Sequence, residues 1–577
     1  MSLTSSLNIG YSALTASQLA IQVTGNNLAN LATPGYSRQL AILTPMRGSG
    51  LPGLNSGRGV RILDVQRQVD QALQSRLWTG VSREHGAARA LQIIAQIETT
   101  LNELSGFDVS SAMSEFFNIW SEGGNLTTVG PTIVQQGDTL AGHLRQVRRE
   151  LYEQRSQVDG QLASAVAHAD AILNEIARLN VEIVSVEGTA GTASALRDQR
   201  DMLVTNLSEF MEVNVIEQSG GNLDVFVGST PIILGSRARG LTLERTSQGN
   251  QISVAVRVTS DGTKLPINDG MIGALLSSRD ATIVDTIEKL DELAAQLIFR
   301  VNRLHATGRN ERGFTSLTST LRVLPADRGL ALNDPNNASL SGLPFGPTNG
   351  GFMVHVTSTA TGATEIVRID VDLDGINASG SAGFQDDTSL DDITAALNAI
   401  TGLSATVSPD GRMSITASAG YEFSFAQDSS DVLATLGVNS FFEGTSAGDI
   451  AVRADLQADP TGVTLGRDEN GTFVANGTAL AIAGVQSEAL EAFSGMSVDE
   501  FWAGAVSNLG VKAGAARTNA DATRVVRESL QAQRDATSGV SVDEESLNLI
   551  NYQRAYQGAA RFIQIVDELT RTLISLV

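Results

Sequence analysis

Two motifs in this 577-residue chain have residue types and spacing that could do chemistry. Gly444-Thr445-Ser446-Ala447-Gly448 matches the G-x-S-x-G turn that raises a serine nucleophile between a strand and a helix. That chemistry needs an Asp and then a His downstream. The last histidine is His355, upstream of Ser446, so a plain Gly/Ser turn is expected instead. Asp370-x-Asp372-x-Asp374-Gly375 has the opening spacing of an EF-hand loop. Its twelfth position is Ser381, where a bidentate glutamate is required, and a strand pattern precedes it. The expected element is a strand ending in an Asp-Gly turn. His85, His143, His168, His305 and His355 show no ligand spacing, and no H-E-x-x-H or phosphate-loop pattern occurs. No catalytic, cofactor-binding or metal-ligating residue is assigned, and no cofactor is expected.

Composition narrows the class further. Basic residues number 40 and acidic residues 63, a net charge of −23, which argues against a general nucleic-acid binder. Only three basic residues are lysines, Lys264, Lys289 and Lys512. There are no cysteines, which removes disulfides, thiolate metal sites and cysteine catalysis. No run reaches the roughly 18 apolar residues of a membrane helix. From Met1 to Ser37 there is no charged side chain, and the first charge is Arg38. A secretory signal would need a basic start, so none of the ordinary kind is expected.

With no catalytic set to position, the elements themselves carry the argument. Leu7, Leu14, Ile21 and Leu28 fall seven apart, flanked by Leu3 and Leu31, among Ser, Thr, Asn, Gln and Ala. This predicts an amphipathic helix over about residues 2–31 with a coiled-coil-like seam, stopped by Thr33-Pro34-Gly35. At the other end, Tyr552, Ala555, Ala559, Phe562, Val566, Leu569, Leu573 and Leu576 recur at threes and fours. Ser541 or Asp543 could cap that helix, with Glu544 and Glu545 at its positive end. Chain ends normally fray, and a charge-free helix lacks a salt-bridging surface. We therefore expect the two ends to pair and then to assemble with neighbouring copies.

Between the ends, helical spacing covers about 83–104, 132–187 (with a possible break at Gly160), 193–211, 281–304, 478–485 and 498–534. Residues 213–258 read as short strands with Gly turns. Residues 329–444 read as a separate module. Val367, Ile369, Val371 and Leu373 alternate with charges, Ser389 and Asp392 fit a capping box, and Asp410-Gly411 fits a hairpin turn. The fold class expected is α+β multidomain: a terminal N/C helix pair, a long-helix bundle, a β-rich middle and an outer α+β insertion. The domains expected are 1–33 with 541–577; 34–328 with 445–540, β-rich near 212–270; and 329–444.

Asn26-Asn27-Leu28-Ala29-Asn30, followed by Thr33-Pro34-Gly35-Tyr36-Ser37-Arg38, resembles the N-terminal signature of bacterial flagellar axial proteins, shared by rod, hook and hook-associated members. Tyr36 to Gln39 is more similar to the hook-associated protein 1 family. So are Leu196 to Asp201 with Leu203 and Leu207, Leu290 to Ala294 with Asn302 and His305, Phe441 to Gly444, and Ser538 to Glu545 with Tyr552, Gln553 and Tyr556. The resemblance spans nearly the whole chain in order and is weakest over about 330–440. It implies a non-enzymatic hook–filament junction protein, exported unfolded without a cleaved signal and placed outside the cell. About eleven copies would complete one ring turn. Partners implied are the hook protein, a second junction protein on the filament side and an export chaperone on the C-terminal helix, with no nucleic acid and no membrane.

The assembly interface expected comprises Leu3, Leu7, Leu14, Ile21, Asn26, Asn27, Leu28, Tyr36, Tyr552, Phe562, Val566, Leu569, Leu573 and Leu576. A lone helix is marginal in water, so the ends are expected to order on assembly. Asn26 and Asn27 fit either a bond to neighbouring backbone or a local cap. Competing readings are a hook or rod protein, a surface adhesin built on the insertion, and a secreted serine hydrolase using Ser446.

Overall fold

The structure, a computed structural model, describes residues 3–46, 57–103, 106, 108–123, 129–188, 191–248, 251–469 and 472–575. Residue 104, the end of one expected helix, and Leu576, an expected interface residue, lie outside these residues. The chain begins with α1 (Leu3–Ala29), β1 (Gln39–Pro45) and β2 (Val60–Arg67). The helices α2 (Gln71–Leu101), α3 (Val109–Gly123), α4 (Gly130–Glu187) and α5 (Ser194–Phe210) follow. Next come β3 (Asn214–Glu217), β4 (Leu223–Val227), β5 (Thr230–Leu234), β6 (Arg237–Ala238), β7 (Leu241–Gln248) and β8 (Gln251–Val258). Then α6 (Gly270–Ser277) and α7 (Val284–Ala306) are joined by a π-helical turn, Ser278–Ile283. The insertion contains β9 (Ser316–Thr318), β10 (Gly350–Ser358), β11 (Thr364–Val371), α8 (Leu390–Asn398), β12 (Leu403–Val407), β13 (Met413–Ala417), β14 (Tyr421–Ala426) and α9 (Val432–Leu436). The return runs through β15 (Phe442–Glu443), β16 (Ala451–Val452), α10 (Ala454–Ala458), β17 (Arg467–Glu469), β18 (Thr472–Val474) and α11 (Gly477–Gly484) to α12 (Val498–Ser538) and α13 (Val542–Ser575).

These elements form two compact units. One contains Met1–Ile93, Gln157–Asp280 and Ala513–Val577; the other contains Ile94–Ser156 and Ala281–Lys512. This grouping differs from the three-part division drawn from the sequence. The terminal helices share a unit with α5 and β3–β8, because side chains described below bond them together. The insertion shares its unit with α3, α7, α10 and α11.

In the first unit, β3-β4-β5-β6 form one antiparallel sheet and β7-β8 a separate pair. The sheet is anchored by buried polar groups. Asn180 donates Nδ2 to the Leu223 and Gly235 carbonyls at 2.9 and 2.6 Å and accepts from Leu223 N. Arg200, 1% exposed, bonds Asn180 Oδ1, the Gly221 carbonyl and Glu217. The opposite charges of α5 turn towards the N-terminal hairpin β1-β2. Arg67 Nη1 bonds Asp198 at 2.8 Å and Asp201 at 2.7 Å. The residues Leu196 to Asp201 thus fix both the sheet and the hairpin that carries Arg38. α4 runs 58 residues, about 87 Å at 1.5 Å per residue, and continues through Gly160, where the sequence allowed a break. One exposed glycine costs about 1 kcal/mol. Val158, Leu162, Ala165 and Ala169, all buried, hold the helix through it.

In the second unit, α3 has no counterpart among the elements expected from the sequence. Asp108 caps it, accepting from Ser111 N at 2.7 Å, and it buries Met113, Phe116, Phe117 and Trp120. Phe116 and Trp120 meet Phe441 with ring centroids 5.9 and 5.3 Å apart. α7 holds the segment after the insertion through two polar side chains. Asn302 Oδ1 accepts from Phe441 N and Phe442 N, while its Nδ2 donates to the Phe442 carbonyl. His305 accepts from Thr464 N at Nε2, so Nδ1 carries the proton given to the Asn439 carbonyl at 2.7 Å. The insertion has two sheets, β11-β10-β14 and β12-β13-β9, around Phe352, Val354, Phe423, Phe425 and Leu397. The Ser389–Asp392 capping box starts α8, and residues 408–412 turn between β12 and β13.

Burial holds His305 down at about 4, against 6.5 for a free imidazole. The unfolded chain therefore takes up a proton that the folded one refuses. The stabilisation from neutral His305 is complete above pH 6.5 and is lost as pH falls towards 4, a change of about 3 kcal/mol. The difference in unfolding free energy between the native chain and His305→Gln should shrink by that amount between pH 6.5 and 4. Denaturant titrations at the two pH values measure it.

Candidate assembly surface

The Thr33-Pro34-Gly35 turn, with Gly35 at φ +78°, sends the chain from the end of α1 back towards its own helix. The buried Asn27 then uses its whole hydrogen-bonding capacity. Its Nδ2 donates to the Gln39 carbonyl at 2.9 Å and to Glu545 Oε2 at 3.0 Å. Its Oδ1 accepts from the Tyr36 hydroxyl at 2.9 Å and from Gln39 N at 3.0 Å. Asn26 is exposed, 3.4 Å from the Tyr36 hydroxyl.

Glu545, in the first turn of α13, is 2% exposed. It takes Asn27 on one oxygen and Arg38 Nε, at 2.9 Å, on the other. Arg38 Nη1 reaches Glu544 at 2.6 Å. The backbone joins in: Arg38 N donates to the Ser538 carbonyl at 2.9 Å, and Arg534 reaches the Gly35 carbonyl at 3.1 Å. Ser37 N donates to Asp198 of α5 at 3.3 Å. The Tyr36 hydroxyl is pushed up to about 12, first by burial and then by the charges of Asp198 and Glu545. It stays a neutral donor to Asn27. The first charged residue of the chain is thus a lock between its two ends.

Below this clamp α1 and α13 lie against each other. Gly10 marks a close approach: a Cβ there would sit 2.7 Å from Ile563 Cγ1 and 3.0 Å from Phe562 Cδ1. The buried residues of α1 are mostly small: Gly10, Ala16, Ser17, Ala20, Val23, Thr24 and Asn27. On α13 they are Glu545, Ala559 and Val566. The residues expected at an assembly interface mostly lie elsewhere. Leu3, Leu7, Leu14, Ile21, Tyr36 and Tyr552 are half-buried, and Asn26, Leu28, Phe562, Leu569 and Leu573 are exposed. Asn27, Val566 and the Tyr36 hydroxyl are engaged within the chain. α13 also exposes Leu547, Ile550, Ile565 and Ile574, so an apolar surface runs down its length. Arg38 and Glu545 were absent from the sequence-based set, although a lone Arg after a charge-free helix and a Glu pair opening the last one were a usable signal.

The two chemical motifs resolve into turns. Ser446 donates its hydroxyl to Asp449 at 2.8 Å, and Asp449 also accepts from Thr445 N and Ser446 N. The backbone and hydroxyl bonds hold that carboxylate below its usual range, against the opposing effect of burial. It is a poor base for its serine. Asp370 pairs with Arg368, while Asp372 and Asp374 lie beside Asp387, a residue outside the EF-hand spacing. Among the described residues no helix is long and apolar enough to cross a membrane.

Comparison with known proteins gives a consistent picture. Residues 7–36 match the family described as flagella basal body rod protein. Residues 94–316 match the helical domain of flagellar hook-associated protein FlgK, and residues 531–576 match the flagellar basal body rod FlgEFG C-terminal family. Flagellar hook-associated protein 1 of Escherichia coli is 24% identical over the full length of both chains. The Salmonella typhimurium protein of that name is 25% identical, also over both full lengths. The Bacillus subtilis one is 24% identical over 98% of this chain and 96% of its own. A solved structure, the flagellar hook junction protein FlgK from Burkholderia pseudomallei, aligns with TM-score 0.48 and 14% identity. It covers 80% of this chain and all of its own. The paired terminal segments and the matches at both ends define a flagellar axial protein. Within that class the chain is similar over its full length to flagellar hook-associated protein 1, whose helical-domain family it matches over residues 94–316, and it is a structural component of the bacterial flagellum.

Removing one partner of a buried charge pair leaves the other uncompensated. Arg38→Ala and Glu545→Ala should each destabilise the first unit by about 3 kcal/mol. The double variant should cost clearly less than the sum. Urea unfolding of the four proteins in the cycle tests this, and strict additivity would contradict the clamp.

Proposed function

We propose that this chain joins flagellar hook to filament by assembling with copies of itself through its terminal helices. The observation that carries the reading is the apolar surface left open on α13: Leu547, Ile550, Phe562, Ile565, Leu569, Leu573 and Ile574 are all more than a third exposed. Such an exposed apolar surface along a long helix is a binding surface waiting for a partner. Covering a half-exposed Leu or Ile contributes about 1 kcal/mol, so the stripe supplies several kcal/mol per copy. The N-terminal helix has no charge before Arg38, so identical copies can pack side by side without like-charge repulsion. Few residues of α13 are fully buried in the single chain, which favours ordering of the ends on assembly.

In this reading the clamp sets the angle at which α1 and α13 enter the assembly, and α5 ties that angle to the first unit. The interface residues expected from the sequence then act between copies, apart from Asn27, Tyr36 and Val566. About eleven copies complete one ring turn. The hook protein lies on one side and a second junction protein on the other. An export chaperone covers the apolar stripe of α13 beforehand, and the chain leaves the cell unfolded.

The test is electron microscopy of isolated hooks from a strain lacking this protein. Full-length protein should cap the hook tips and permit filament growth once the companion proteins are supplied. A variant without residues 1–33 and 543–577 should remain folded and fail to cap. Leu569→Asp should also abolish capping, because a charge would be buried unpaired, while leaving circular dichroism unchanged. Capping by the truncated form would sink the proposal.

A further inference from the structure

We propose that Asp372, Asp374 and Asp387, in the connection from β11 to α8, form a binding site for a calcium-sized divalent cation. Each offers a carboxylate oxygen, and the three oxygens lie within 4.8 Å of one another. That spacing is no wider than two calcium–oxygen bonds of about 2.4 Å laid end to end. Asp372 and Asp374 stand exposed at the rim, and Asp387 is 4% exposed beneath them.

Asp387 carries the argument. Its Oδ2 accepts from Asn333 Nδ2 at 2.6 Å and from Gly375 N at 3.1 Å. Its Oδ1 is buried and has no hydrogen-bond partner. A buried carboxylate oxygen left bare costs free energy unless something positive reaches it. Among the described residues no Lys, Arg or His pairs with any of the three carboxylates; Arg368 goes to Asp370 and Arg328 to Asp391. Asp372 and Asp374 use Oδ1 for backbone amides, from Asp374 N and Ile376 N, which leaves their Oδ2 atoms for a ligand. The backbone draws the ends of the connection together: Asp372 N donates to Thr388 Oγ1 at 2.8 Å, and Thr388 N to the Asp372 carbonyl at 2.7 Å. An all-oxygen, three-carboxylate set selects a hard cation. The EF-hand spacing fails at Ser381 because the third carboxylate comes from residue 387, outside the twelve-residue window.

The experiment uses full-length protein stripped with chelator and titrated with calcium chloride by calorimetry, with thermal unfolding alongside. Calcium should bind at one site with a dissociation constant near the millimolar range of extracellular modules, and should raise Tm. Asp372→Asn and Asp374→Asn, both at the exposed rim, should weaken binding at least tenfold and leave the metal-free Tm unchanged. Asp387→Asn should abolish binding and raise the metal-free Tm, since it removes an uncompensated buried charge. Absence of calcium binding up to about 5 mM would overturn the site. So would unchanged affinity in the rim variants, and tighter binding of magnesium would overturn the assignment to calcium.

Discussion

A single buried carboxylate, Glu545, gives the terminal part of the molecule its definition. It stands 518 positions from Asn27 in sequence, yet takes a hydrogen bond from Asn27 and two contacts from Arg38. Neither helix could supply this geometry alone. α1 has no charge with which to fix its register on a neighbour, and its small buried side chains would tolerate sliding. The clamp supplies register, and it works because nothing in it is left unsatisfied. Asn27 spends two donors and two acceptor sites, and Arg38 divides itself between two glutamates. Behind it, Arg67 with Asp198 and Asp201 ties the hairpin to α5, and Arg200 ties α5 to the sheet.

The arrangement also accounts for part of the scarcity of lysine. Many arginines serve two acceptors at once: Arg38 with Glu544 and Glu545, Arg67 with Asp198 and Asp201, Arg197 with Glu187 and Glu217, Arg279 with Asp159 and Asp280. A planar guanidinium presents several donors in fixed directions, so one side chain can bridge two elements, whereas a lysine ammonium is a single flexible point charge. A fold that closes on itself through distant segments has particular use for such bridges.

What could be read from the sequence follows the range of the physics. Local signals were legible: the terminal helices by periodicity, α8 by its capping box, the β12–β13 turn by Asp-Gly. The identities at Asn27, Tyr36 and Arg38 carried the family resemblance, but their roles did not, because their partners lie in α13 and α5. The leucine repeat of α1 was visible, while the face buried in the single chain was not; Gly10, Ala16 and Ala20 give no hydrophobic signal, and only the close approach of Ile563 shows why residue 10 has no side chain. α3 escaped because it is short and its partners, Phe441 and Phe442, come from a distant segment. Gly160 suggested a break by propensity alone, which packing on both sides of it outweighs. Asp387 gave no motif at all, since only the folded connection brings it beside Asp372.

The clamp has a further consequence in alkaline surroundings. Burial and the charges of Asp198 and Glu545 push the Tyr36 hydroxyl up to about 12. An unperturbed tyrosine loses its proton near 10. The hydroxyl that Tyr36 donates to Asn27 is therefore kept in alkaline media that would strip an ordinary tyrosine, and the buried side of the joint does not acquire a further negative charge beside Glu545.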